Sequence, residues 1–253
     1  MAQARRETVE IDGRPVAVHV FAPIGPGNGL RVMFTHGWGS RIALTQGLVT
    51  GLRETGFFVY AIDLPGHGDS PGASLHAGSA IATQAAVWHR FGPFDAMIGH
   101  SFGGYMTVLA AHGLLDGRPL SPPRLVVIAA PADVRRVLAY FCRGLGLNRR
   151  VAAALTAEVQ RVTGRPVEAS FAPGYLARSG IPTLVLHASE DKEVGAEAAR
   201  AYADAGPHVT LAWLDGLGHR RIVNSPEAIE AITKFLRSSS VSAQMLHTVS
   251  PQS

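Results

Sequence analysis

Ala96-Met97-Ile98-Gly99-His100-Ser101-Phe102-Gly103-Gly104-Tyr105-Met106-Thr107-Val108-Leu109-Ala110-Ala111 decides how this chain is read. The apolar start, Ala96–Gly99, has the pattern of a buried strand, and Phe102–Leu115 has that of a helix. Between them lies Gly99-His100-Ser101-Phe102-Gly103, a G-x-S-x-G string. In a chain with 28 glycines the string alone is weak evidence, and its plain reading is a glycine turn that happens to hold a serine. Its placement gives it weight. A serine at a tight strand-to-helix turn has a strained backbone and needs neighbours without a Cβ, which Gly99 and Gly103 supply. The turn also sets Ser101 at a helix N-terminus, where the dipole favours developing negative charge.

A serine hydroxyl is a poor nucleophile until a base takes its proton, and the base is most often a histidine steered by a carboxylate. Among 11 histidines, His219 stands in Gly216-Leu217-Gly218-His219, on a glycine loop between the Val209–Leu214 strand and the last helix. The acid candidate is Asp191, in His187-Ala188-Ser189-Glu190-Asp191-Lys192-Glu193-Val194, directly after the Thr183–His187 strand. Glu190 adjoins it and Asp133 follows another strand, so either is an alternative acid. The order Ser101, Asp191, His219 is Ser…Asp…His, as a strand-by-strand α/β fold presents such groups at one sheet edge. The run Leu30–Thr35 opens into His36-Gly37-Trp38-Gly39, which exposes backbone amides. The Trp38 and Phe102 N–H groups are candidates to stabilise an oxyanion formed by attack of Ser101.

The rest of the chain fits this frame. Glu7–Ile11 and Val16–Phe21 read as a hairpin around Asp12-Gly13. Ile42–Thr55, Ala77–Phe91 and Glu197–Ala205 read as helices, and Phe57–Ile62 and Arg124–Ala129 as strands. The last helix starts at Ser225-Pro226-Glu227 and sets Ile229, Ile232 and Phe235 on one face. Strands apolar on both faces, alternating with helices, predict a mostly parallel sheet covered on both sides. About fifty residues separate the strand ending near Ala130 from Thr183, where ~10–12 suffice for a crossover. The excess, 134–179, is expected to form a small helical cap over a core of 1–133 and 180–237, and 238–253 a disordered tail.

Taken together these residues resemble the α/β-hydrolase superfamily, from roughly Glu7 to Arg237. The likeness rests on the HG-x-G loop at His36–Gly39, the turn at Gly99–Gly103 and the late Asp191 and His219. It also rests on Asp63-Leu64-Pro65-Gly66-His67-Gly68-Asp69-Ser70, similar to the family's D-x-x-G-x-G-x-S turn. The resemblance implies an eight-stranded sheet, a catalytic set of Ser101, Asp191 and His219, and no cofactor. The activity it implies is that of a serine hydrolase acting on an ester or thioester. C–C bond hydrolysis and lactone opening are alternatives on the same groups, and a non-catalytic small-ligand receptor is an alternative of another class.

Composition bounds the rest. The chain has 253 residues, 47% hydrophobic and 17% charged, which suits a folded domain rather than a disordered one. Its single cysteine, Cys142, excludes an internal disulfide and a cysteine-based zinc site, and no H-E-x-x-H spacing occurs, so no metal is expected. The net charge of +4 and the lack of a basic run with interleaved aromatics argue against nucleic acid. Without an apolar leader or spanning run, the expectation is a cytoplasmic protein that does not engage a membrane. Trp38, Phe102, Tyr140, Phe141 and Leu145 are the expected substrate-binding residues, forming an apolar pocket for a small acyl group. Residues 134–179 hold eight arginines against two glutamates. Such a field steers an anionic substrate if it faces the pocket, whereas a solvated arginine face is the ordinary reading.

Overall fold

A computed structural model of the chain describes residues 4–72, 75–114, 117–163 and 166–238. Apart from Ser238, the tail expected to be disordered lies outside the described residues, as does Leu115. Eight strands build one sheet: β1 (Arg5–Ile11), β2 (Arg14–Phe21), β3 (Arg31–Thr35), β4 (Phe58–Ile62), β5 (Ala96–His100), β6 (Leu125–Ile128), β7 (Thr183–His187) and β8 (Val209–Trp213). Their spatial order is β1-β2-β4-β3-β5-β6-β7-β8. β1 and β2 form the expected hairpin, with Asp12 and Gly13 both left-handed at φ 51 and 70, as a two-residue turn of this twist needs. β2 runs antiparallel to β4, and every later pairing is parallel.

The inner parallel strands β5 and β6 are largely apolar because both of their faces are buried. On β5, Met97 points into one core and Ala96 and Ile98 into the other; on β6, Leu125 and Val127 oppose Val126 and Ile128. The first core is closed by α2 (Ala77–Phe91), α3 (Phe102–Ala111), α6 (Ala172–Ser179) and α7 (Ala196–Ala203). The second is closed by α1 (Gln46–Glu54) and α9 (Pro226–Arg237). This α/β-hydrolase architecture is the expected fold class.

The helix expected over Ile42–Thr55 is two pieces, a 3-10 turn at Ile42–Leu44 and then α1. The break has a cause in side chains that sequence pattern does not show. Ile42 N donates to Asp63 Oδ1 at 2.8 Å, which ties the start of the segment to the loop after β4. Asn224 then bridges the break, its Nδ2 donating to Leu44 O at 2.9 Å and its Oδ1 accepting from Leu48 N at 3.3 Å.

Between β6 and β7 stand α4 (Val134–Gly144), α5 (Arg149–Thr163), a 3-10 turn at Val167–Ser170, and α6. Asp133 caps α4, accepting from Arg136 N at 3.1 Å. α6 packs on α3 and α7, with Ala172 and Leu176 in the first core. α4 and α5 pack on each other, and no described side chain of α5 is fully buried. Among the described residues, no helix is long and apolar enough to cross a membrane.

Candidate active site

Ser101 sits between β5 and α3 with φ 53 and ψ −126, a region that non-glycine residues rarely occupy. The turn closes so tightly that backbone meets backbone. A Cβ on Gly103 would lie 2.3 Å from His36 O, and one on Gly99 would lie 2.5 Å from Gly104 Cα. Gly37 meets the serine from the other side: a Cβ there would lie 2.9 Å from Ser101 Cβ. The loop after β3 is thus laid directly over the candidate nucleophile, with Trp38 and Phe102 flanking it.

His219 was expected on a glycine loop; it lies instead in the first turn of a short helix, α8 (Gly218–Arg221). Its Nδ1 is 2.7 Å from Asp191 Oδ2 and its Nε2 is 2.9 Å from Ser101 Oγ. An ionised carboxylate only accepts, so Nδ1 carries the proton and Nε2 is left to accept from the serine hydroxyl. Asp191 is fixed in turn: Oδ1 accepts from Glu193 N at 2.8 Å and Val194 N at 2.9 Å. Burial alone pushes this carboxyl up, but the hydrogen bond and charge of His219 and the two amides outweigh it and hold it below the usual carboxylate range. The two alternative acids are engaged elsewhere. Glu190 Oε1 accepts from Gly218 N at 3.0 Å, and Asp133 caps α4.

The neighbouring histidines brace this set. His100 Nε2 donates to the His219 carbonyl at 2.9 Å, tying the residue before the serine to α8. His36 Nε2 accepts from Leu64 N at 3.0 Å, which leaves Nδ1 to donate to Gly37 O at 2.7 Å. His67 Nε2 accepts from Gly39 N at 3.0 Å. Two imidazoles therefore join the loop after β3 to the loop after β4. His76 lies away from this network as the N-cap of α2.

Burial lowers His36 and His100 from 6.5 to about 4, with the charge of His219 adding to the effect on His100. The unfolded chain takes up these protons near pH 6.5, whereas the folded protein refuses them until about pH 4. Stability is therefore expected to fall as pH drops through that window, by up to about 3 kcal/mol for each ring. Urea unfolding at pH 4.5 and 7.5 checks this. The difference should shrink in His100→Asn, and equal stability at both pH values would contradict it.

Of the expected substrate-binding residues, three come together. The Trp38 ring is 50% exposed, 5.3 Å edge-to-face from Phe102 and 6.4 Å from Phe141 of α4. The Tyr140 hydroxyl donates to Glu193 Oε2 at 2.7 Å. Leu145, at the end of α4, is 59% exposed to solvent. Three of the eight arginines of 134–179 form local ion pairs. Arg135 meets Asp133 and Glu168, Arg136 meets Asp133 and Glu197, and Arg161 meets Glu158. Arg143, Arg149 and Arg150 have no ion-pair partner among the described residues.

Glu193 was missed by sequence reasoning. Its Oε2 lies 3.7 Å from His219 Nε2, and its Oε1 accepts from Arg220 Nε at 2.8 Å. It stood two residues beyond the chosen acid, where nothing in the string marks which way a side chain turns.

His19, Asp63 and Asp69 bring ligand atoms within 4.8 Å of one another. His19 Nε2 donates to Asp63 Oδ2, which also accepts from Asp69 N, while Oδ1 accepts from Ile42 N. These bonds make Asp63 a brace for its loop and leave no imidazole lone pair from Nε2 for an ion.

The sequence pattern of the alpha/beta hydrolase family matches residues 32–232. Among solved structures, the chain is similar to the esterase domain of a Rhodothermus marinus protein, at 19% identity and a TM-score of 0.65, covering 92% of this chain and 96% of that one. It is similar to proline iminopeptidase of Mycobacterium smegmatis, at 19% identity and a TM-score of 0.67, covering 92% and 97%. It is also similar to the thioesterase domain from the curacin biosynthetic pathway, at 15% identity and a TM-score of 0.64, covering 93% and 100%. Likeness at these identities is likeness of fold. A comparison with curated proteins finds no match. With the family pattern spanning most of its length, the chain belongs to the alpha/beta hydrolase family.

Proposed function

We propose that this hydrolase cleaves a carboxylic ester, or a thioester, through an acyl group carried on Ser101. The observation that carries the reading is the unbroken line from Asp191 Oδ2 to His219 Nδ1 and from His219 Nε2 to Ser101 Oγ, at 2.7 and 2.9 Å. In the first half-reaction His219 takes the hydroxyl proton as Oγ attacks the carbonyl carbon. The Trp38 and Phe102 amides stabilise the oxyanion, and His219 protonates the departing alcohol or thiol. In the second, water attacks the acyl-serine carbonyl and gives a proton to His219. The expelled Ser101 Oγ regains its proton from His219, and a carboxylic acid is released.

Residues 134–179 act as a cap in this reading, with α4 setting Phe141 against Trp38, and 1–133 with 180–237 act as the core. The acyl group packs against Trp38, Phe102 and Phe141. Rapid fluorophosphonate labelling, followed by a panel of p-nitrophenyl esters and acyl-CoAs, tests the proposal. A chain that neither labels nor turns over any of them is not a serine hydrolase of this kind.

The guanidiniums of Arg143 and Arg149, without an ion-pair partner among the described residues, support a preference for anionic substrates. kcat/KM for an anionic ester is expected to exceed that of a neutral analogue of equal size at low salt. The gap should narrow as screening approaches ~8 Å at physiological ionic strength. Replacing both arginines with Gln should remove it. Equal kcat/KM for the matched pair at low salt sinks the idea.

A further inference from the structure

His219 has a carboxylate at each of its two nitrogens. Asp191 bonds Nδ1 directly, and Glu193 stands 3.7 Å from Nε2, the nitrogen that faces Ser101. The second distance is too long for a hydrogen bond, and it is a span that one water bridges with two bonds of ~2.8 Å. Glu193 is held for this position from three sides. Its own N–H donates to Asp191 Oδ1 at 2.8 Å, Arg220 Nε donates to its Oε1 at 2.8 Å, and Tyr140 of α4 donates to its Oε2 at 2.7 Å. These bonds and the charge of His219 outweigh burial and keep the carboxyl below its usual range, so it is ionised and only accepts. A carboxylate has lone pairs left over after those two side-chain bonds.

We propose that Glu193 is a positioning residue for deacylation, holding the hydrolytic water between its Oε2 and His219 Nε2. The proposal rests on the acyl-serine reading above. In the free protein Nε2 accepts from the Ser101 hydroxyl. Once Oγ is esterified it has no proton to give, and Nε2 is open to water. One water hydrogen then points at Nε2 and the other at Glu193 Oε2. With both hydrogens held, a lone pair is left to face the acyl carbon. The water oxygen bonds to that carbon, its proton passes to Nε2, the C–Oγ bond breaks, and His219 returns the proton to Oγ. Glu193 exchanges no proton in this sequence. Acylation needs no such water, so the two half-reactions should respond differently to its loss.

Rapid mixing of an excess of a p-nitrophenyl ester with the wild type, Glu193→Ala and Glu193→Gln separates them. The burst of p-nitrophenol reads acylation and the steady phase reads deacylation. In Glu193→Ala the steady phase is expected to slow by roughly 10–100-fold, the scale set by misplacing a reactant. KM should fall with it, and the burst should approach one equivalent per site. Glu193→Gln keeps the size and an acceptor oxygen, and a loss of smaller size in the same phase is expected. Tyr140→Phe separates a water-holding carboxylate from a mere latch between α4 and the site. It removes the hydroxyl from Oε2 but keeps the carboxylate and its bond from Arg220, so the steady phase should slow far less than in Glu193→Ala while the burst rate stays as in the wild type. Equal slowing of both phases in Glu193→Ala and Glu193→Gln overturns the proposal, as does a Tyr140→Phe ratio that matches Glu193→Ala. Unchanged kinetics in both Glu193 variants also overturns it. Failure of the wild type to label with fluorophosphonate or release p-nitrophenol overturns the acyl-serine reading itself.

Discussion

Ser101→Ala is expected to abolish turnover through an acyl-serine, leaving at most the residual rate that binding and the oxyanion donors sustain, and His219→Ala to reduce kcat by 10³–10⁶-fold, the order seen when such groups act as a unit. Ser101 is the hydroxyl bonded to His219 Nε2. His36 and His100 are buried and committed to Leu64 N and the His219 carbonyl, and Cys142 is buried in α4. The two variants should also fail to add, because each alone already disables the pair. Initial rates with the best ester of the panel check this. Retention of more than a few per cent of activity by Ser101→Ala would place the reaction elsewhere.

The second large effect is expected at Asp191, and its size follows from which oxygen does what. Oδ1 faces two backbone donors, Glu193 N and Val194 N, while Oδ2 faces His219 Nδ1. In Asp191→Asn the amide oxygen must take the Oδ1 place, because an NH₂ there would confront two N–H groups. The NH₂ is then aimed at His219 Nδ1, which must become the acceptor. The ring proton moves to Nε2, and the serine hydroxyl loses its base. A fall in kcat of about 10³–10⁴ is expected, with KM and the fold little changed. Circular dichroism and steady-state kinetics on the same sample test it. A loss below tenfold would mean that another carboxylate steers the imidazole.

Much of this site could be read from sequence because its parts are local. A serine on a strained turn needs glycines beside it, and strands buried on two faces are largely apolar, so Gly99–Gly103 and the inner parallel strands announce themselves. Asp191 and His219 each follow a strand, and parallel strands deliver their ends to one edge. What sequence did not reveal depends on side-chain direction or long-range bonds. Asn224, far along the chain, clamps the break before α1. His36 and His67 join the loop after β3 to the loop after β4 through bonds to Leu64 N and Gly39 N, partners far apart in the chain. The eight arginines of 134–179 were counted as one field, but several are neutralised by Asp133, Glu168, Glu197 and Glu158. Glu193 was passed over because a turn of three residues, held by Asp191 Oδ1, decides that its side chain swings back to the imidazole.

The central claim, that Asp191 and His219 activate Ser101 as a nucleophile, is tested most directly by mapping where a fluorophosphonate probe attaches and how fast. One equivalent on the peptide that carries Ser101 is predicted, with labelling slowed by orders of magnitude in His219→Ala and absent in Ser101→Ala. A probe that attaches to another residue, or that labels Ser101 as fast in His219→Ala as in the wild type, would contradict it.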